Sequence, residues 1–67
     1  MDKPVVRGRL TGNYSHLYAL VVRVIHALIE AGHEEQAVIV LLGWQKLTKA
    51  TDVVEMLRQY VEIEPEE

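Results

Sequence analysis

Cysteine is absent from the 67 residues, which removes disulfides and thiolate metal sites together. A chain this short sits near the lower end of what folds unaided, and oligomerisation is the remaining staple. A homodimer is therefore expected. An excess of positive charge is lacking too: seven Lys and Arg stand against ten Asp and Glu, for a net charge of −3. That balance argues against broad, non-specific polyanion binding, though not against a local basic surface. No stretch is long and apolar enough to span a bilayer, since Arg23, His26 and Glu30 interrupt the segment 17–31. The N-terminus has no apolar h-region, so a soluble, cytoplasmic protein is expected. There are no internal repeats and no low-complexity tract, and residues 1–67 read as one domain. A catalytic triad, a Gly-rich phosphate loop and a carboxylate pair with a third partner are all missing. The expectation is no enzyme, no catalytic residues, no cofactor and no metal.

What is present is dominated by one run, Ala37-Val38-Ile39-Val40-Leu41-Leu42, ending at Gly43. It contains no polar residue, it is β-branched in the middle, and it is short. Those features favour a strand buried on both faces. A strand of that kind needs layers above and below it, so the fold class reads as α/β, two-layered, in the order β-α-β-α-(β). The alternative is an all-α three-helix bundle, because periodicity alone does not separate a buried strand from a buried helix.

Around that run the pattern is clearer. In Val5-Val6-Arg7-Gly8-Arg9-Leu10, Val6, Gly8 and Leu10 fall on one side of a strand and Val5, Arg7 and Arg9 on the other. Thr11-Gly12-Asn13 reads as a turn, with Asn13 or Ser15 as helix cap. From Tyr14 to Ala31 the spacing is helical, with a stripe of Leu17, Val21, Val24 and Leu28 widened by Leu20, Ile25 and Ile29. That arc is wider than one sheet needs and points to a second surface, such as another subunit. Gly32 ends the helix. A later helix is expected near Asp52, where Asp52 and Glu55 resemble a capping box, with Thr48 as an earlier start. Its buried stripe is Val53, Val54, Leu57, Tyr60 and Val61. Val61-Glu62-Ile63-Glu64 then alternates like a strand until Pro65, and beside the first strand its glutamates would oppose Arg7 and Arg9.

Leu47-Thr48-Lys49-Ala50-Thr51-Asp52-Val53-Val54-Glu55-Met56-Leu57-Arg58 resembles the signature of the Alba superfamily of nucleic-acid-binding proteins. That family carries an Ile-Ser-Lys-Ala-Val-Asp-Val-Val-Glu-Ile-Leu-Arg type run after a buried Val/Ile strand. Glu35-Gln36-Ala37-Val38-Ile39-Val40 is similar to the family's approach to that strand, and Leu17-Tyr18-Ala19-Leu20-Val21 to its first helix. The resemblance covers about two-thirds of the chain, in a reduced form without the family's C-terminal β-hairpin. It implies a small α/β homodimer that binds DNA or RNA without metal or cofactor.

The candidate nucleic-acid site is Arg7 and Arg9 on the first strand with Gln45, Lys46 and Lys49 after the second. Guanidinium and ammonium groups there would neutralise phosphates, while Trp44 would stack on a base or line an interface. The bland alternatives are arginines that pair with the terminal glutamates and a tryptophan in the core. His26, Glu30 and His33 share a polar helical side, but a solvated face is the better reading than a metal site. Ser15 and His16, neighbours in sequence, point to different sides of a helix. A second functional class is a protein-interaction or assembly module on the same scaffold that has lost nucleic-acid binding. It is favoured by the acidic total and by a lysine-free 11–14 loop, with the wide apolar face and Trp44 as the partner surface.

Overall fold

The computed structural model describes residues 3–8 and 14–65. Its elements run β1 (Val5–Gly8), α1 (Tyr14–Glu30), α2 (Glu34–Trp44), α3 (Ala50–Arg58) and β2 (Glu62–Pro65). The protein is thus mixed α/β, but in the order β-α-α-α-β rather than β-α-β-α-β. The correction falls on residues 37–42, which are helical and form the middle of α2.

Physical reasons for that outcome are visible on both sides of the run. A strand buried on both faces needs neighbours in a sheet, and among the described residues the sheet is two-stranded, built from β1 and β2. As a helix, the same run buries Ala37, Val40 and Trp44 on one side. Glu34 and Glu35 occupy its first turn, where negative charge favours helix initiation. Gly43 does not stop it: the helix continues to Trp44, and the Gly43 Cα faces Met56 of α3.

Helix α1 is the spine, packing against α2, β1 and α3. Its buried stripe is Leu17, Leu20, Val21, Val24 and Leu28, as the spacing predicts. The helix ends in a Schellman motif. Gly32 adopts φ 84°, the His33 N–H donates to the Leu28 carbonyl at 2.7 Å, and the Gly32 N–H donates to Ile29 at 3.0 Å. Helix α3 begins at Ala50 with Lys49 as N-cap, and no side chain caps it, so the expected Asp52–Glu55 capping box is not formed. Asp52 instead sits in the first turn and Arg58 in the last, each on the side of the helix dipole that favours its charge.

β1 and β2 pair in parallel, with Val6 opposite Ile63 and Arg7 opposite Glu64. Val6 and Gly8 are buried and Val5 and Arg7 exposed, as the alternation predicts. Leu10 and Arg9 lie outside the described residues, as does the 11–13 turn with Asn13. Both outer edges of the sheet are blunted. The Glu62 N–H donates to the Pro4 carbonyl at 2.8 Å, and the alternation of a parallel ladder then turns the backbone groups of Val5 and Arg7 outward. Arg23 of α1 covers that edge, its Nη1 donating to the Arg7 carbonyl at 2.8 Å. On the far edge the outward residues are Ile63 and Pro65, and Pro65 has no N–H to offer another strand. The core is apolar throughout: among the described residues no polar or charged residue is buried.

Candidate functional site

The sequence-derived cationic site does not assemble as expected. Arg7 is exposed on β1, and its Nε lies 3.6 Å from the Glu64 carboxylate, the pairing that the strand alternation anticipates. Arg9 lies outside the described residues. Gln45 is the C-cap of α2, Lys46 follows it in the turn, and Lys49 is the N-cap of α3; all three are exposed. The second strand that was to bring the two groups side by side is α2, so β1 has β2, not residues 37–42, as its sheet neighbour. Trp44 is not in the turn. It closes α2, is buried to 9 % exposure, and meets the Tyr18 ring edge-on at 5.9 Å. The indole is therefore part of the core, and a base has no access to its face. His26 and Glu30 are exposed on α1 and His33 is half-buried. No three His, Cys, Asp or Glu side chains gather as a metal set among the described residues.

What the structure does bring together is apolar. Past its first turn, helix α2 is hydrophobic all round, a pattern that normally belongs to a helix covered on every side. Its inner face is covered; its outer face is not. Val38, Ile39, Leu41 and Leu42 are 54, 51, 43 and 57 % exposed. At about 100° per residue these four sweep an arc of roughly 160°. The surface continues onto α1 through a shallow open groove of about 250 Å³, lined by Ile25, Ile29, Ala37, Val38 and Leu41, with Glu34 at its rim. Ile25 and Ile29 are the residues that widen the α1 stripe beyond the needs of the core. Scattered exposed aliphatics are ordinary, whereas here four lie side by side on one helix face and run on into the groove.

Sequence reasoning located half of this site. It picked out the excess width of α1 but placed residues 38–42 inside the protein. The available signal was Glu34-Glu35-Gln36, a helix-favouring start directly before the apolar run. Among the described residues no helix is long and apolar enough to cross a membrane. Set against known proteins, the chain matches no family model, no curated sequence and no solved structure.

Proposed function

We propose that this protein is a non-enzymatic assembly module that pairs with a second copy of itself through the outer face of α2. The observation that carries this reading is the exposure of Val38, Ile39, Leu41 and Leu42 together on one face of one helix. Covering such half-exposed side chains contributes roughly 1 kcal/mol each, and a two-fold seam would cover four from each copy. Association itself costs about 4–15 kcal/mol. The two terms are of similar size, which suits a weak, reversible, concentration-dependent dimer. A second copy suits this face better than a sheet-edge partner, because both edges of the β1–β2 ribbon are blunted.

Sedimentation equilibrium from the micromolar to the millimolar range tests it. Mass should rise with concentration from one chain toward two, unchanged by a short oligonucleotide, and Leu42→Glu should hold the protein as a monomer. A wild-type mass equal to one chain at every concentration sinks the reading.

Nucleic-acid binding stands as a second reading on one observation: Lys46 and Lys49 are exposed together in the turn between α2 and α3. The Alba-like resemblance of residues 47–58 falls on that turn and on α3, although the buried strand that the family places before it is here a helix. This reading predicts retention of RNA or DNA that weakens steeply with salt and is lost in the Lys46→Glu, Lys49→Glu double variant.

A further inference from the structure

The charge pattern on the outer face of α2 fixes how two copies would meet. Glu35, Ile39, Leu42 and Lys46 follow one another at intervals of four, three and four residues. At about 100° per residue they fall within roughly 60° of each other, on the side of the exposed arc that Leu42 and Ile39 occupy and away from Leu41. Lys46 belongs to this stripe because the helical path continues past Trp44. Gln45 is αR, at φ −69° and ψ −20°, and the Lys46 N–H donates to the Gly43 carbonyl at 3.1 Å. All four residues are exposed. The stripe therefore reads acid, apolar, apolar, base from the start of α2 to just past its end.

Such a stripe is complementary to its own reverse. Laid antiparallel about a two-fold axis between positions 40 and 41, it sets Glu35 of each copy against Lys46 of the other, and Ile39 against Leu42. Laid parallel, it sets Glu35 against Glu35, Glu34 against Glu34 and Lys46 against Lys46. Like charges directly opposed suppress that arrangement, and parallel helix dipoles add to the penalty. Both copies use the same patch, as a closed two-fold dimer requires. On the assembly reading above, we infer that the partner of this face is a second α2, antiparallel, in the register that pairs Glu35 with Lys46.

Charge exchange tests the register, with the dimer Kd measured by sedimentation at low salt. Glu35→Lys and Lys46→Glu, each alone, should raise the Kd by about three- to tenfold, since each converts two exposed ion pairs to repulsions. The double variant Glu35→Lys, Lys46→Glu should return the Kd to within about twofold of wild type. The rescue separates a seam from an effect on the helix. Both substitutions oppose the dipole of α2, so if helix stability were responsible the double variant would be the weakest dimer of the set. A short bis-maleimide gives an independent readout, because the chain carries no native cysteine. Covalent dimers should form in a mixture of Glu35→Cys and Lys46→Cys and not with either alone; dimers from Glu35→Cys alone overturn the antiparallel register. A dimer whose Kd ignores all three charge variants, yet which Leu42→Glu still dissociates, overturns the register and leaves the α2 seam standing. A wild type that stays monomeric removes both.

Discussion

Helices α2 and α3 share one core and end on opposite terms with water. Helix α3 buries Val53 and Leu57 and turns Thr51, Asp52, Glu55 and Arg58 to the solvent. Helix α2 buries Ala37, Val40 and Trp44 and turns Val38, Ile39, Leu41 and Leu42 to the same solvent. Each supplies the fold with what it needs from one side. Of the two, only α2 presents large hydrophobic side chains to the solvent, and the comparison separates residues that hold the protomer together from residues that the protomer leaves uncovered.

The sharpest way to break that distinction is to make one chemical change on both helices. Leu57 is fully buried, at 0 % exposure, whereas Leu42 is 57 % exposed. Leu57→Ala should destabilise the protomer by about 2–5 kcal/mol, through lost burial and the cavity left behind. In a domain of this size that is a fall in Tm of roughly 10 °C or more. Leu42→Ala, measured at a dilution where the protein is monomeric, should shift stability by no more than about 0.5 kcal/mol. Thermal unfolding followed by circular dichroism reads both. A large loss from Leu42→Ala in the monomer would show that α2 is covered in solution by this chain's own residues, and the contrast would collapse.

A smaller effect is expected where β1 meets α1 closely at Gly8. A Cβ added to Gly8 would stand 2.5 Å from Leu20 Cδ1, 3.4 Å from its Cγ and 3.5 Å from its Cβ. Leu20 is 1 % exposed and has nowhere to retreat. Gly8→Ala should therefore cost about 1–3 kcal/mol by overpacking, read as a lower urea midpoint with an unchanged m-value. An unchanged midpoint would mean that the strand stands off the helix, and that closure of the core is not what distinguishes the buried elements from α2.

The same contrast explains which parts of the fold were legible in the sequence. Where an element has one wet face, its period is written in the residues. Val6 and Gly8 alternate with Val5 and Arg7, the α1 stripe recurs at helical spacing, and Val53, Leu57 and Val61 mark the inner side of the C-terminal segment. These elements were readable, as was the pairing of Arg7 with Glu64. Helix α2 has no wet polar face from Val38 to Leu42, so its period is erased, and β-branched Val38, Ile39 and Val40 tip the reading to a strand. The candidate cation site fell with that strand, because Arg7 and Lys46 were to be neighbours only across it. What propensity missed, tertiary context supplied: a 67-residue chain has no layers to sandwich a central strand, but α1 and α3 offer a groove that takes one side of a helix.

The smallest effect tests the joint between the two helices compared here. Gly43 lies inside α2, where alanine would be favoured over glycine by about 0.8–1 kcal/mol on helix propensity alone. Against this, a Cβ at position 43 would stand 2.9 Å from the Sδ of Met56 on α3. That neighbour is the outer part of a flexible, unbranched side chain, and Met56 is only half-buried, so it can swing aside at the cost of a rotamer change of order 0.5–1.5 kcal/mol. The two terms nearly cancel, and Gly43→Ala should change stability by less than about 1 kcal/mol, a few degrees in Tm. Gly43→Val adds bulk against the same sulfur and forfeits the propensity gain, so it should fall below both. If Gly43→Ala instead cost as much as Gly8→Ala, α2 would be locked against α3 as tightly as β1 is against α1. The exposed side chains of α2 would then sit on a rigid platform rather than on a helix free to adjust to a partner.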